Sequence, residues 1–481
     1  MQTVWTMSCE IKRRETLKEN IEADALVIGA GMAGVLTADA LKSRGLKVVI
    51  LEAFRIGSGQ TSGTTAKITS QHGMIYAKLL QSLGRKAAGQ YAEAAQKAIA
   101  EYEKLASERN IDCDFEKKPS FLYGMDEKEL KKEEGAALSL GLPASFTKDI
   151  PFPIECSGAL RFEKQAQFNP LKFLKIMSEG LEIYERSPVI KVEENTAFTK
   201  EGSVRAGHIV FACHYPFIDF PGMYFARMHR ERSYFIAVKG APDIKGMYIG
   251  ADENSYSLRN YKDMLFFGGE KQRSGDKDTP GRYDRLLTKA QQLFPGCAKV
   301  ACWSAQDCMT PDSVPYIGRY SADTPGWYIA TGFGKWGMTG SMVSSMLLSD
   351  LICKKETPWA GVFDPSRFKP SDIKEIADQG GHAVKALAKR FFDIPDERLS
   401  DIPNGQGGIV EIDGEAVGIY KDEEGIAWQI DPRCPHMGCR LEWTGDDRCW
   451  DCPCHGSRFD RYGRLICSPA QRDVTVEAER L

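Results

Sequence analysis

The sequence lacks an excess of charge of either sign and holds little histidine. Its 481 residues include 63 lysines and arginines, 66 aspartates and glutamates and 7 histidines. This nearly balanced charge gives no electrostatic reason to expect nucleic acid or an anionic membrane as a partner. Long apolar runs are also missing, because residues 25–41 hold three glycines and Asp39 and fall short of the roughly 18 apolar residues of a membrane span. We therefore expect a globular protein with no membrane span.

The N-terminal region lacks the features of a secretory leader. Lys12, Arg13 and Arg14 resemble part of a twin-arginine export signal, but no apolar region or small-residue cleavage site follows them. The 14 cysteines are spread unevenly, with eight in residues 1–353 and six in the last 48. In a chain without an export signal, such a cluster indicates a metal site before a disulfide framework. The sequence thus predicts a cytoplasmic protein with a metal centre near its C-terminus.

Residues 24–52 have the pattern of a βαβ unit: an apolar strand, a glycine turn, a helix and a second strand. The turn reads Gly29-Ala-Gly31-Met-Ala-Gly34. In such turns the first glycine permits the tight bend, the second lets the backbone approach a pyrophosphate and the third allows close helix packing. Glu52 ends the second strand, where it can accept a hydrogen bond from a ribose. The unit predicts a dinucleotide site.

The length of the chain predicts more than one domain, because domains hold roughly 100–200 residues. The hydrophobic pattern beyond this unit predicts several further regions. Residues 76–110 have an Ala-rich helical periodicity, and about 150–300 alternate short strand-like runs with loops, as in an α+β domain. Residues 354–400 are rich in Lys, Pro and Asp around a helical piece at 373–392. From about 395 onward, short strands and dense turns indicate a small all-β domain.

Two short loops near the C-terminus each contain a cysteine and a histidine. They are Cys434-Pro-His436 and Cys452-Pro-Cys-His455, separated by fifteen residues. One cysteine and one histidine on each loop suit a 2Fe-2S cluster in which one iron takes two thiolates and the other takes two imidazoles. Neutral imidazoles carry less negative charge than thiolates, so they raise the reduction potential relative to an all-cysteine cluster. A zinc site with two cysteines and two histidines is an alternative that the ligand types permit.

The full loops read Cys-Pro-His-Met-Gly-Cys and Cys-Pro-Cys-His-Gly-Ser, and they resemble the Rieske proteins of respiratory and photosynthetic cytochrome bc-type complexes. The resemblance implies a disulfide between Cys439 and Cys454 and a hydrogen bond from Ser457 to a bridging sulfide. Zinc would explain neither the paired cysteines nor the loop glycines. The tyrosine that the family places two residues after the serine is Phe459 here. Without its hydrogen bond to a ligand sulfur, the potential should lie below that of this branch.

Three stretches resemble the D-amino-acid oxidase superfamily of FAD enzymes, which includes glycine and sarcosine oxidases. They are the Gly/Ser/Thr-rich loop 55–73, the segment 310–318 and the glycine-rich segment 330–340. The resemblance spans roughly residues 24–355 and implies FAD. Some members attach FAD covalently through a His or a Cys, but the His position is not matched here and Cys308 is out of register with the Cys position, so we expect tight noncovalent binding. With the C-terminal domain added, the chain resembles a group of bacterial FAD/Rieske oxidoreductases.

The same resemblance implies how FAD is held. Val189 should meet the adenine through its backbone, Ala212 should lie along the adenosine, and the last glycines should bring a helix N-terminus to the flavin ring. His72 is expected to be structural. The expected cofactor contacts are Gly29, Gly31, Gly34, Glu52, Ala53, Ser58, Thr61, Thr65, Lys67, Val189, Ala212, Gly332, Gly334, Gly337 and Thr339.

These observations predict an α/β Rossmann-like FAD-binding domain with an α+β substrate domain, followed by a small all-β Rieske domain. The predicted boundaries are 1–23 for an N-terminal extension, 24–355 for the FAD-dependent module, 356–394 for a linker with a docking helix and 395–481 for the Rieske domain. Within the module, the FAD-binding parts are about 24–75, 150–215 and 305–355, and the substrate and helical parts are about 76–149 and 216–304.

The candidates for the substrate site are Tyr256, Arg259 and Trp336. The superfamily holds a substrate carboxylate with an Arg or Tyr of the substrate-domain sheet, and Arg259 offers the planar fork that suits a carboxylate. A surface or interdomain ion pair is the alternative for this arginine. The sequence singles out no catalytic base.

The combination of the two cofactors indicates how electrons are passed on. FAD accepts two electrons together as hydride, whereas a Rieske cluster passes them one at a time. A plain oxidase gains nothing from such a cluster, so we expect a dehydrogenase of a small amine or amino acid with an external electron carrier. A Rieske oxygenase is excluded because no mononuclear-iron domain accompanies the cluster. A redox relay or sensor without catalysis, and reverse flow from a reduced carrier to a substrate, stay open.

Overall fold

The computed structural model describes residues 2–276, 279–367 and 398–476. The helical piece predicted at 373–392 lies outside the described residues, as does most of the predicted linker. The chain divides into two compact units. The first comprises Met1–His214, Ser233–Lys271 and Tyr283–Phe368, and the second comprises Tyr215–Arg232, Gln272–Arg282 and Lys369–Leu481.

The described residues form α-helices and strands over most of their length. The helices are α1 (Val4–Ser8), α2 (Met32–Lys42), α3 (Gln60–Gly63), α4 (Tyr76–Glu108), α5 (Glu127–Ser139), α6 (Pro170–Met177), α7 (Arg282–Leu293), α8 (Gly337–Ile352) and α9 (Ala360–Phe363). Single 3-10 turns are Tyr224–Ala226 and Leu399–Asp401. The strands are β1 (Asn20–Ile28), β2 (Val48–Leu51), β3 (Lys67–Ile68), β4 (Glu116–Gly124), β5 (Ala144–Thr147), β6 (Gly158–Gln167), β7 (Glu182–Tyr184), β8 (Lys191–Glu193), β9 (Thr196–Phe198), β10 (Ser203–Phe211), β11 (His229–Lys239), β12 (Met247–Gly250), β13 (Ser257–Tyr261), β14 (Met264–Arg273), β15 (Ala298–Met309), β16 (Tyr316–Arg319), β17 (Trp327–Thr331), β18 (Gly407–Ile412), β19 (Glu415–Lys421), β20 (Ala427–Ile430), β21 (Glu442–Thr444), β22 (Cys449–Asp451), β23 (Arg458–Asp460) and β24 (Leu465–Cys467).

The first unit holds an eight-stranded sheet whose central strands are parallel. Its main order is β16-β17-β10-β1-β2-β7, and β8 and β9 pair beside β10. β1 runs parallel to both β2 and β10. All four residues of β2 and the last four of β1 are buried, as expected for parallel strands covered on both faces. The carboxyl ends of β1, β2 and β10 therefore meet at one edge, which is where the glycine turn follows β1.

Most of a nine-stranded sheet lies in the same unit and carries the substrate-domain segment. Its order is β15-β11-β14-β13-β12-β4-β6-β3, with β5 beside β6. β13 thus lies between β12 and β14, and β3 lies at one edge. The long helix α4 confirms the predicted helical stretch, although a break interrupts it at Gly84, whose φ of 77° is left-handed. The two sheets confirm the predicted combination of an α/β and an α+β region.

The N-terminal residues differ from the extension predicted at 1–23. β1 already begins at Asn20, and α1 places Trp5 in the core of the first unit, fully buried. The Trp5 indole N–H donates to the carbonyl oxygen of Thr64 at 2.6 Å. A short helix with one buried aromatic residue has no periodic pattern, so this packing could not be predicted from the sequence.

The second unit holds two small antiparallel sheets, which confirm the predicted all-β domain. One has the order β18-β19-β20 and the other β21-β22-β23-β24. Its core residues include Tyr420, Ile430, Cys434, Cys439, Leu441, Trp450, Cys452 and Phe459. In neither unit is any described helix long and apolar enough to cross a membrane.

Candidate functional sites

The predicted dinucleotide turn has backbone contacts that only glycine permits. Gly29 has a φ of 109°, and a Cβ there would lie 2.7 Å from the carbonyl oxygen of Ala212. A Cβ on Gly34 would lie 1.9 Å from the carbonyl oxygen of Gly29. Gly31 precedes the first residue of α2, so the N–H groups of the first turn of that helix, which have no acceptor within the helix, lie at the glycine turn. Val189 and Ala212 are both buried. The turn can therefore present backbone donors to an anionic ligand at close range.

Glu52 fixes the end of β2 through its carboxylate. One carboxylate oxygen accepts from the Ala30 N–H at 2.7 Å, and the other accepts from the Phe54 N–H at 2.8 Å. Burial raises the pKa of Glu52. Each oxygen keeps a second lone pair, so the carboxylate can also accept from a ribose hydroxyl. The hydroxyl of Thr61 accepts from the Met32 N–H at 3.0 Å and ties the following loop to α2.

The other predicted residues of this loop differ in burial. Ala53 and Ser58 are exposed, and Thr65 is half-buried. Lys67 is buried, and its ammonium group contacts the hydroxyl of Ser257 on β13. Burial lowers the pKa of Lys67 to about 7. The loop thus runs from solvent at Ala53 to the interior at Lys67.

The glycine segment before α8 is anchored to the loop after β3. Gly332 and Gly334 have left-handed φ values of 69° and 55°. Gly337 is the first residue of α8. The hydroxyl of Thr339 donates to the carbonyl oxygen of Thr69 at 2.7 Å. The N-terminus of a long buried helix is therefore held in place, and its dipole can stabilise negative charge there.

His72 and Trp336 stack beside this helix end, with ring centroids 4.8 Å apart. Nε2 of His72 lies 2.6 Å from the carbonyl oxygen of Thr69, and Nδ1 lies 2.7 Å from the hydroxyl of Tyr91. Because a carbonyl only accepts, Nε2 carries the proton and Nδ1 accepts from Tyr91. Burial lowers the pKa of His72 to about 4, so the ring is neutral. These contacts agree with a structural histidine and place Trp336 beside it.

Arg259, the predicted carboxylate ligand, lies in the aromatic core. Its side chain is fully buried, and Nη1 donates to the carbonyl oxygen of Ala66 at 2.9 Å. The guanidinium lies 5.4 Å from the ring centroid of Trp5 and 5.3 Å from that of Phe266. Burial lowers its pKa to about 9. Nε and Nη2 of this guanidinium are buried without a hydrogen-bond partner, so its role as a carboxylate ligand stays a prediction. The other two candidates, Tyr256 and Trp336, are half-buried and more accessible.

The two cluster loops have the same backbone turn. The Gly438 N–H donates to the carbonyl oxygen of Cys434, and the Gly456 N–H donates to that of Cys452, each at 2.9 Å. Both glycines have left-handed φ values, 78° and 70°. A glycine at the fourth position after each cysteine is therefore what lets both loops close in the same way.

The four predicted ligand residues lie close together, and their sulfur and nitrogen atoms are of the kind that binds iron. Cys434 and Cys452 are buried side by side in one hydrophobic cluster. The rings of His436 and His455 lie 5.0 Å apart between centroids and nearly perpendicular. Nδ1 of each histidine is buried and has no hydrogen-bond partner. Since buried polar atoms are almost always satisfied, two orphaned imidazole nitrogens beside two thiols fit a bound cluster.

The residues around the ligands follow the Rieske resemblance in part. Cys439 and Cys454 form a disulfide that joins the two loops. The hydroxyl oxygen of Ser457 accepts from the Ala470 N–H at 3.0 Å. Phe459 is fully buried in the same hydrophobic cluster as the ligand cysteines. Its ring carries no hydroxyl to donate toward sulfur.

A buried ion-pair network lies beside the second cluster loop. Arg458 donates to Asp447 at 2.7 Å and to Asp451 at 3.0 Å. Arg232 approaches Asp451 at 2.7 Å. The two arginines hold the pKa of Asp451 well below its usual range, although burial opposes them. Cys449, for which the sequence suggested no role, accepts from Arg458 at 3.0 Å. The network fixes the strand that leads into the second loop.

Sequence reasoning missed the residues that approach the loops from a distant segment. Asp219, Phe225 and Arg230 lie in Tyr215–Arg232, which belongs to the second compact unit. Arg230 donates to the sulfur of Cys467 at 3.1 Å. Asp219 contacts His436, which lies 217 positions further along the chain, so no local sequence spacing could have predicted this contact. The sequence signal that could have drawn attention to this segment is a single acidic residue, Asp219, among the aromatic residues of 215–225.

Two family matches cover nearly the whole chain. Residues 24–351 match the DAO family, described as FAD dependent oxidoreductase. Residues 394–477 match the Rieske [2Fe-2S] domain family.

Individual relatives agree with these matches. A Rieske 2Fe-2S iron-sulfur protein of Bacillus subtilis (strain 168), YhfW, is 36% identical over 98% of this chain and 96% of its own length. Gamma-glutamylputrescine oxidoreductase of Escherichia coli (strain K12) is 24% identical over 70% of this chain and 85% of its own. Glycine oxidase from Geobacillus kaustophilus has a similar fold, with a TM-score of 0.63 and 19% identity over 73% of this chain and 100% of its own.

Proposed function

Because the chain belongs to the FAD-dependent oxidoreductase family and carries a Rieske [2Fe-2S] domain, we propose that it is a dehydrogenase of a small amine or amino acid. Its electrons would pass singly from FAD to the cluster and on to an external carrier. The observation that carries the proposal is the set of two buried thiols and two orphaned imidazole nitrogens in a chain with an FAD-family module. The names of the relatives that act on an amine and on glycine support the substrate class.

Bound FAD would accept two electrons together as hydride, and the cluster would accept one electron at a time. The chain's own groups would orient the FAD. The turn at Gly29 and the N-terminus of α2 would hold the pyrophosphate, and Glu52 would accept from the ribose. The N-terminus of α8 at Gly337 would stabilise negative charge on the ring.

A one-electron centre favours a dehydrogenase over an oxidase. An oxidase gives its electrons to oxygen at the flavin and needs no second centre. The chain instead provides the ligands of a one-electron centre in its Rieske domain. The substrate-site candidates Tyr256 and Trp336 are half-buried, whereas Arg259 is buried among aromatic rings.

The test is an anaerobic screen of small amines and amino acids with the purified holoprotein. We expect at least one compound, tried among glycine, other amino acids and gamma-glutamylputrescine, to bleach the flavin absorbance. The Rieske electron paramagnetic resonance (EPR) signal should follow. His455→Ala protein is the matched control, because it should still be bleached but should no longer reduce a one-electron acceptor.

If dithionite reduces both centres but no amine bleaches the flavin, the proposed dehydrogenase is wrong and a relay or sensor remains. If a reduced carrier fills the cluster and the flavin then reduces an imine, the flow is reversed.

We also propose that the protein works in the cytoplasm with a diffusible carrier. The balanced charge of the chain supports a soluble small partner in place of nucleic acid or an anionic surface. Fractionation of cells that express the protein tests the location, and recovery with the periplasmic fraction would contradict it.

A further inference from the structure

One segment of the second unit lies over the cluster histidines. We name Tyr215–Arg232 the covering segment. The side chain of His436 is 6% exposed, and His455 is buried. Nε2 of His436 lies 2.9 Å and 3.1 Å from the two carboxylate oxygens of Asp219. The ring of Phe225 stands edge-on to that of His455, with centroids 5.8 Å apart. The outer side of the histidine pair is thus occupied by the protein itself.

The Asp219 contact decides where the proton of His436 lies. A carboxylate only accepts hydrogen bonds, so Nε2 must be the protonated nitrogen. In a neutral ring, Nδ1 then keeps a free lone pair, and this is the buried atom that has no partner. Histidines that bind metals through one nitrogen commonly donate the other N–H to a carboxylate, which fixes the tautomer and the ring orientation. Asp219 makes this contact with both of its oxygens.

The covering segment is built to hold Asp219 in place. The Met223 N–H donates to the carbonyl oxygen of Asp219 at 2.8 Å and closes a turn directly after it. At the other end of the segment, Arg230 donates to the carbonyl oxygens of Gly456 at 3.1 Å and Ser468 at 2.7 Å. One of these carbonyls belongs to the second cluster loop. The segment is therefore bonded to the cluster loops at two points, and Asp219 has little freedom to swing away.

We infer that Asp219 is a positioning residue for the cluster, which holds the His436 ring with Nδ1 directed toward iron and lowers the reduction potential. The inference rests on the cluster assignment in the proposed function. The potential falls because a negative charge on the outer nitrogen makes the imidazole a stronger electron donor and disfavours the added electron. No residue within the two cluster loops supplies such a charge to His436 in the described structure.

Two substitutions separate the charge from the hydrogen bond. Asp219→Asn keeps an oxygen that accepts from Nε2 but removes the negative charge. Asp219→Ala removes both. Asp431→Asn is the matched control, because Asp431 also carries one negative charge near the first loop, is bonded to Arg433 at 2.9 Å and does not contact a histidine. Iron and FAD content, the histidine nitrogen couplings in the EPR signal and the reduction potential are measured on the full-length protein.

We expect Asp219→Asn to shift the reduction equilibrium at least tenfold toward the reduced cluster, which is about 59 mV for a one-electron couple. Asp431→Asn should shift it much less. Asp219→Ala should also change the nitrogen couplings or lose iron while keeping FAD. If Asp219→Asn loses the cluster, Asp219→Glu should retain it.

Several results would overturn the inference. One is an intact cluster in Asp219→Asn with the wild-type potential. Another is an equal shift in Asp431→Asn, which would make the effect one of general charge. A third is loss of the cluster from the Asn, Ala and Glu variants alike, which would show that packing of the segment matters and the carboxylate does not. A wild-type protein without iron would refute the proposed function, and the inference with it.

Discussion

The contact between Gly34 and Gly29 makes the dinucleotide turn sensitive to a single methyl group. Gly34 lies in the first turns of α2 and has ordinary helical geometry. Alanine is favoured over glycine in a helix by about 1 kcal/mol, so propensity alone predicts that Gly34→Ala stabilises the protein. The surroundings predict the opposite.

The geometry sets the size of the effect. A Cβ on Gly34 would lie 1.9 Å from the Gly29 carbonyl oxygen, whereas real Cβ contacts stay beyond 3.0 Å, so the two must separate by about 1.1 Å. Gly29 cannot move away easily, because its N–H donates to Leu51 at 2.8 Å and the Ala212 carbonyl closes its other side. Overpacking of a rigid core costs about 1–3 kcal/mol. With the backbone fixed we expect the upper end, hence a net loss of roughly 2 kcal/mol after the helix gain.

The assay is the free energy of unfolding of the FAD-free protein, together with the temperature at which the holoprotein releases FAD. Gly337→Ala is the matched control, since a Cβ at the start of α8 has no atom within 4 Å. Its FAD-free form should be as stable as the wild type or slightly more stable. A Gly34→Ala protein with wild-type unfolding free energy and full FAD content would refute the reasoning, because α2 would then have shifted at no cost.

Three further outcomes are expected. His455→Ala should lose the Rieske EPR signal and keep the flavin spectrum, and a retained signal would remove this residue from the ligand set. Arg458→Met should lower the free energy of unfolding of the Rieske domain by about 3–5 kcal/mol, because it leaves Asp447 and Asp451 buried with fewer partners; a denaturant titration with no loss would contradict this. The folded-state pKa of His72 is about 4 and its ordinary value is 6.5, so its contribution to stability is complete above pH 6.5 and falls as the pH drops toward 4. His72→Gln should flatten this part of the stability profile, and an unchanged slope would assign the acid sensitivity to other groups.

Features with a local signature were predictable from the sequence. The βαβ unit followed from apolar periodicity and the glycine spacing, and β1, α2 and β2 confirm it. The cluster loops could be recognised because each one places its cysteine, histidine and glycine within four or five residues. Such motifs can be recognised in a sequence because the backbone turn itself requires glycine at a fixed position.

Features that join distant parts of the chain were not predictable. Asp219 and His436 come together only because the fold brings the covering segment to the cluster loops, and no spacing rule links residues 217 apart. Arg259 stays a candidate carboxylate ligand for a related reason. Its residue type suits a carboxylate, but the packing of Trp5 against it depends on where the N-terminal helix lies in three dimensions. Side-chain chemistry alone cannot tell a ligand from a buried cation surrounded by rings.

Phe459 tests the other influence on the cluster potential. We expect two features of this chain to act in the same direction, since Phe459 offers no hydroxyl to a ligand sulfur and Asp219 holds a carboxylate against His436, a predicted ligand. Both disfavour the added electron. Phe459→Tyr should therefore raise the potential. A hydrogen bond contributes on the order of 1 kcal/mol, and a tenfold change in a one-electron equilibrium is about 59 mV, so the rise should be some tens of millivolts. Protein-film voltammetry measures the potential. Unchanged iron content is the control, because the added tyrosine hydroxyl could disturb the buried site and lose the cluster. An unchanged or lower potential in an intact cluster would mean that the ring edge at residue 459 does not face the sulfur, and the low potential would then depend on Asp219 alone.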